Sequence, residues 1–157
     1  MQQQTRKDEN ERLGAVPPEV LKAIISDGDI EKLVHWAEKI GKELAGDLTT
    51  SQIRNFFGDV RRIESTVEEA RRKMTTAKEF RLPDEAYRQL MLLKPKLAYQ
   101  SRRIAGWGVR KLSEVLIPAI DHVGRDAGHF KNFVNFFEAI LAYHKFYGGR
   151  ESSGRGN

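Results

Sequence analysis

Residues 49–74 read TTSQIRNFFGDVRRIESTVEEARRKM, and their periodicity decides the fold class. Ile53, Phe56, Phe57, Val60, Ile63, Val67, Ala70 and Met74 recur at i, i+3, i+4 and i+7 for about seven turns. Thr49-Thr50-Ser51 supplies capping hydroxyls just before them. A long amphipathic helix follows from this pattern, and the chain on either side reads the same way. Upstream, Asp29 is placed to cap a helix over 30–44, with Leu33, Trp36, Ala37, Ile40 and Leu44 on one side and Gly46 as its stop. Pro17-Pro18 opens a short helix over 19–25 that ends at the Asp27-Gly28 turn.

Downstream, Arg81-Leu82-Pro83-Asp84 breaks the chain, and Asp84 is expected to cap a helix through Leu90, Leu93, Leu97 and Ile104. Pro95 predicts a kink near Leu92. Gly106-Trp107-Gly108 reads as a turn, 109–123 as a helix with a second kink at Pro118, and 124–128 as a loop. Over 130–147 an aromatic helix sets Phe130, Phe133, Val134, Phe137, Ile140, Leu141 and His144 on one side. No window alternates at period two and no repeat appears. The expected fold is all-α, a compact bundle of about five or six helices forming one domain over 17–147. Residues 1–16 read as a disordered arm and 148–157 as a flexible tail.

A chain of 157 residues suffices for one packed core. It contains no cysteine, which excludes disulfides and thiolate metal sites. No apolar run reaches the roughly 20 residues of a membrane span, and no signal-peptide core opens the chain, so a cytoplasmic location and no membrane partner are expected. The four histidines, His35, His122, His129 and His144, lie far apart and match no paired-ligand motif. They read as surface or helix-packing residues. No nucleophile elbow, phosphate loop or nucleophile beside a base is present. Neither an enzyme nor a metal or cofactor is expected.

The charge is more informative. The chain carries 27 Lys and Arg against 22 Asp and Glu, a net charge of +5, and its pI is near 9.5. Residues 86–113 hold seven of those cations (Arg88, Lys94, Lys96, Arg102, Arg103, Arg110, Lys111) and no acid. Without that segment 20 basic residues stand against 22 acidic ones, near −2. Seven cations with no acid among them repel unless a polyanion neutralises them. On a wheel of about 100° per residue, Arg54, Arg61 and Arg72 fall within roughly 20° of one another, with Gly58 and Ser65 between them. Lys96, Tyr99 and Arg103 align on the later helix, joined by Arg110 if that helix continues. Tyr99 either stacks on a base or packs at the edge of the core.

Three blocks then stand in a familiar order: Leu48-Thr49-Thr50-Ser51-Gln52-Ile53-Arg54-Asn55; Leu93-Lys94-Pro95-Lys96-Leu97-Ala98-Tyr99 followed by Arg102-Arg103; and FVNFFEAILAYHKFY over 133–147. Ile117-Pro118-Ala119-Ile120-Asp121 lies between the last two. Together they resemble the small subunit of the Csm complex, the type III-A CRISPR interference complex, over about residues 46–148. The resemblance implies a non-catalytic, RNA-binding structural subunit in antiviral defence. Several copies would line the groove that holds guide RNA paired to target RNA. Partners would be those RNAs, other copies of the chain, the large polymerase-like subunit and the repeated backbone subunit. Arg54, Lys94, Lys96 and Arg103 are the contacts it implies; Arg61, Tyr99, Arg102 and Arg110 come from the wheel and the charge. Where the family usually has a glycine before the last arginine, this chain has Arg102. Either Arg102 adds a contact or the turn differs and Arg103 points elsewhere.

A protein-interaction module is the alternative. Its basic face would bind an acidic partner, and the aromatic last helix would self-associate without RNA contact. A generic DNA-binding protein ranks below both, since no helix-turn-helix spacing is evident.

Overall fold

The computed structural model describes residues 16–74, 81–104 and 106–149. Among these residues, six helices make an all-α bundle: α1 (Pro18–Ile25), α2 (Ile30–Leu44), α3 (Thr50–Arg72), α4 (Asp84–Arg103), α5 (Trp107–Val123) and α6 (Ala127–Phe146). Of the expected arm over 1–16, residues 1–15 lie outside the described residues, as does the tail beyond Gly149, and Val16 packs against the core.

Local chemistry starts most of these helices. The Asp29 carboxylate accepts from the Lys32 N–H at 3.1 Å, and Asp126 accepts from the His129 N–H at 2.9 Å. Thr49 and Gln52 form a reciprocal capping box, at 3.1 and 3.0 Å. Asp84 does not cap α4. Pro83 holds that position, and Asp84, one residue later, takes the Arg125 guanidinium at 2.9 Å instead. Proline's fixed φ already suits a helix entrance, so no side-chain cap is required there. α4 runs unbroken across Pro95, and α5 across Pro118. Pro95 offers no N–H to the Met91 carbonyl, and Met91 lies at the exposed face, where that loss is tolerated.

α6 is the axis of the bundle, packing against α1, α2, α3 and α5. Four neighbours require more than one apolar stripe. Phe136 is therefore as buried as Phe130, Phe133 and Phe137, while Leu141 is only half-buried. The α2/α6 seam is the tightest. A Cβ on Gly41 would sit 2.7 Å from the Tyr143 Cβ and 2.8 Å from both the His144 N and the Ile140 O. His144 is fully buried there, and its Nε2–H donates to the Leu48 carbonyl at 2.5 Å. A packing histidine is what the sequence led one to expect.

The α3 stripe is covered from Ile53 to Val67 only; Ala70 is half-buried and Met74, beyond the helix end, is exposed. Leu82 N–H donates to the Arg125 carbonyl at 2.8 Å, which ties the start of α4 to the α5–α6 connection. Among the described residues, no helix is long and apolar enough to cross a membrane.

Candidate nucleic-acid interface

α3 and α4 pack side by side but leave an open groove along their outer edge. From α3 it receives Arg54, Gly58, Asp59 and Arg62; from α4, Lys96, Gln100 and Arg103. Positions 54, 58 and 62 follow one another at i+4, so the small Gly58 lies between two arginines. Nothing lies within 4 Å of where its Cβ would be. Among the described residues, Asp59 is the one acid lining the groove. Its side chain is 13% exposed, accepts from the Lys96 ammonium at 2.6 Å and is bridged by the Arg62 guanidinium. It thereby joins the two walls. Arg54 and Arg103 are exposed and have no acidic partner among the described residues. Beyond Lys96 the groove turns apolar, over Ile63, Leu92 and Leu93.

Three expected site residues, Arg54, Lys96 and Arg103, therefore converge on one groove. The others lie elsewhere. Arg61 leans towards α6, where it pairs with Glu64 at 2.8 Å and Glu138 at 3.5 Å and sits 4.8 Å over the Phe57 ring. The hydrogen bond to Glu64 raises its already high pKa. Arg54 and Arg61 share a helix azimuth that lies between two neighbours, and each falls to a different side. Lys94 bonds to Asp121 of α5. Tyr99 is 64% exposed, so it is not packed at the core's edge. Arg110 does not extend the Lys96–Tyr99–Arg103 line. α4 ends at Arg103 and Ile104 is extended; Arg110 is on α5, 3.9 Å from Glu114.

Arg102 stays within α4, so it does not occupy the turn. The reversal is made at Gly106, whose φ of +122° suits glycine. Arg103 accordingly keeps its helical direction into the groove. α5 then starts without a side-chain cap of its own, and the Gly108 N–H donates to the Asp47 carboxylate from the α2–α3 connection.

Four of the seven segment cations are paired, while Arg88, Arg102 and Arg103 meet no acid among the described residues. Lys94, Lys96 and Arg110 meet acids from outside the segment, and Lys111 is buried, 1% exposed, with Glu43 at 3.9 Å. Burial pushes the Lys111 pKa down, against the pull of Glu43, and pushes the Glu43 pKa up. Arg62 is the groove cation that the sequence reading missed. Its spacing of four and eight from Gly58 and Arg54 was the available signal. Among the described residues, no three His, Asp or Glu side chains are grouped to hold a metal.

An all-α bundle whose candidate site is an open groove, not an enclosed pocket, has the build of a structural subunit. The chain belongs to the Csm2 Type III-A family, whose profile matches residues 27–150. That family is the small subunit of the type III-A CRISPR (Csm) complex, a structural component that assembles with other Csm subunits. No curated protein and no solved structure matches the chain. The match starts at the Asp27-Gly28 turn, earlier than residue 46, where the sequence resemblance began. It thus takes in α2 to α6 and leaves α1 outside.

Proposed function

We propose that the α3/α4 groove holds the phosphate backbone of RNA, in the complex the guide paired to its target, and that the chain performs no catalysis. One observation carries this: Arg54, Lys96 and Arg103, distant in sequence, line a single open groove with Arg62. Guanidinium groups match phosphate oxygens in a two-pronged geometry, and an open groove admits a continuous chain. Contacts of this kind fix position and carry no sequence information, which base pairing supplies instead. Arg102 and Tyr99, exposed on the same helix, extend the surface. Lys94, Arg61 and Arg110 sit in partly exposed ion pairs. Such pairs contribute only about 0–1 kcal/mol, so a phosphate can replace the acid. Copies side by side along the RNA, contacts with the large and backbone subunits, and a cytoplasmic location belong to this proposal.

The test is RNA affinity against salt. Log affinity should fall linearly with log salt, at roughly −0.7 to −0.9 per neutralised phosphate. A flat line would sink the proposal. For the protein-interaction alternative, the α6 phenylalanines at 130, 133, 136 and 137 are in the core, which leaves Phe146 and Tyr147 at the end of the helix as its exposed aromatic surface. Complex assembly that survives ribonuclease would be the result in its favour.

A further inference from the structure

Gln100 lies in the groove among its cations, yet its amide oxygen is buried and has no hydrogen-bond partner among the described residues. An orphaned buried acceptor weakens the free protein and calls for an explanation. Lys96, one turn earlier on the helix, is engaged with Asp59, and neither Arg102 nor Arg103 donates to the Gln100 oxygen. A carboxamide oxygen can only accept, so its missing partner must be a donor. Phosphate oxygens offer no proton at neutral pH. The ribose 2′-hydroxyl does, it accompanies every phosphate of RNA, and DNA lacks it.

We propose that Gln100 is the residue by which the groove tells RNA from DNA: its side chain is only half-buried, and its amide turns on binding so that the oxygen accepts a hydrogen bond from a ribose 2′-hydroxyl. This rests on the groove's binding a nucleic-acid backbone, and adds a specificity that the cations cannot supply. Arginine and lysine bind the phosphates of either polymer alike. Gln89 also has a buried, unpartnered amide oxygen, but it lies at the apolar end, and its nitrogen donates to Glu85 at 3.4 Å. It therefore serves as the control.

The experiment titrates the full-length chain with one oligonucleotide sequence prepared as RNA, as DNA and as 2′-O-methyl RNA, which keeps the RNA sugar geometry without the donor. The unaltered protein should favour RNA over both others by about three- to tenfold, the worth of one neutral hydrogen bond. Gln100→Met keeps the length and removes the acceptor. It should bring that ratio near one with DNA affinity unchanged, and leave the unfolding midpoint equal or higher. Gln89→Met should keep the ratio. Equal RNA and DNA binding by the unaltered protein overturns the Gln100 assignment alone. So does a ratio that survives Gln100→Met, an equal loss for both polymers, or a ratio lost in Gln89→Met. Binding of RNA and DNA that ignores salt overturns the groove itself, and this assignment with it.

Discussion

Two helix seams in this molecule each place a glycine at their centre, to opposite ends. At the α2/α6 seam, Gly41 lets a neighbouring backbone approach until no methyl group fits. At the α3/α4 seam, Gly58 has nothing within 4 Å and keeps a channel clear between arginines. The first seam is closed around a buried histidine; the second is left open, with cations along its walls. A small residue on a helix face thus reads as packing or as access only once the partner helix is placed.

Breaking the closed seam should have the largest effect. Gly41→Ala puts a methyl against the Tyr143 side chain and the α6 backbone, and overpacking of this kind costs about 1–3 kcal/mol. Chemical denaturation should show the lower midpoint, and RNA affinity per folded molecule should persist. Next comes the open seam. Arg54→Ala with Arg103→Ala should reduce RNA affinity and lower the salt slope by roughly 1.4 to 1.8, while stability stays within about 0.5 kcal/mol. Loss of stability without change of slope would reverse the roles assigned to the seams.

A smaller effect is expected at Lys111, the segment cation that belongs to neither seam's surface. Its folded pKa is depressed, whereas the unfolded chain ionises near the ordinary 10.5. As pH rises from the depressed value towards 10.5, the unfolded state holds more protons, so stability gains with pH. Lys111→Met should remove that gain, visible as a difference between the two pH–stability curves that grows just below 10.5. Near neutral pH the double variant Lys111→Met with Glu43→Gln, which leaves neither charge unpaired, should be as stable as the parent or more so. The smallest effect is Gly58→Ala. With open space for the methyl and a helix interior around it, stability should rise by about 0.5–1 kcal/mol.

The helices were legible in the sequence because their signals are local. The capping box at Thr49 and Gln52 and the stripe from Ile53 to Val67 act over one turn or a few. Phe136 was not assigned to the core because one stripe was expected of α6, and only the packing of four neighbours explains the second. The charges were the hardest to read. Asp59, Asp121 and Glu43 neutralise cations tens of residues away, and no spacing rule within residues 86–113 could show them. Arg54 and Arg61 are equivalent on a wheel and separate because Glu64 on their own helix and Glu138 on α6 both engage Arg61. Half of the groove was therefore visible beforehand, and its acid, its glutamine and Arg62 were not.

The bond from Gly108 to Asp47 has a consequence for the order of events in folding. α5 begins at two glycines around a tryptophan, a poor place for a first helical turn to form unaided. Its start is instead held by a carboxylate 61 residues earlier. α5 should thus nucleate only after the α2–α3 connection has found it, a non-local step that slows folding. Asp47→Ala would show this as a slower refolding rate out of proportion to the stability lost.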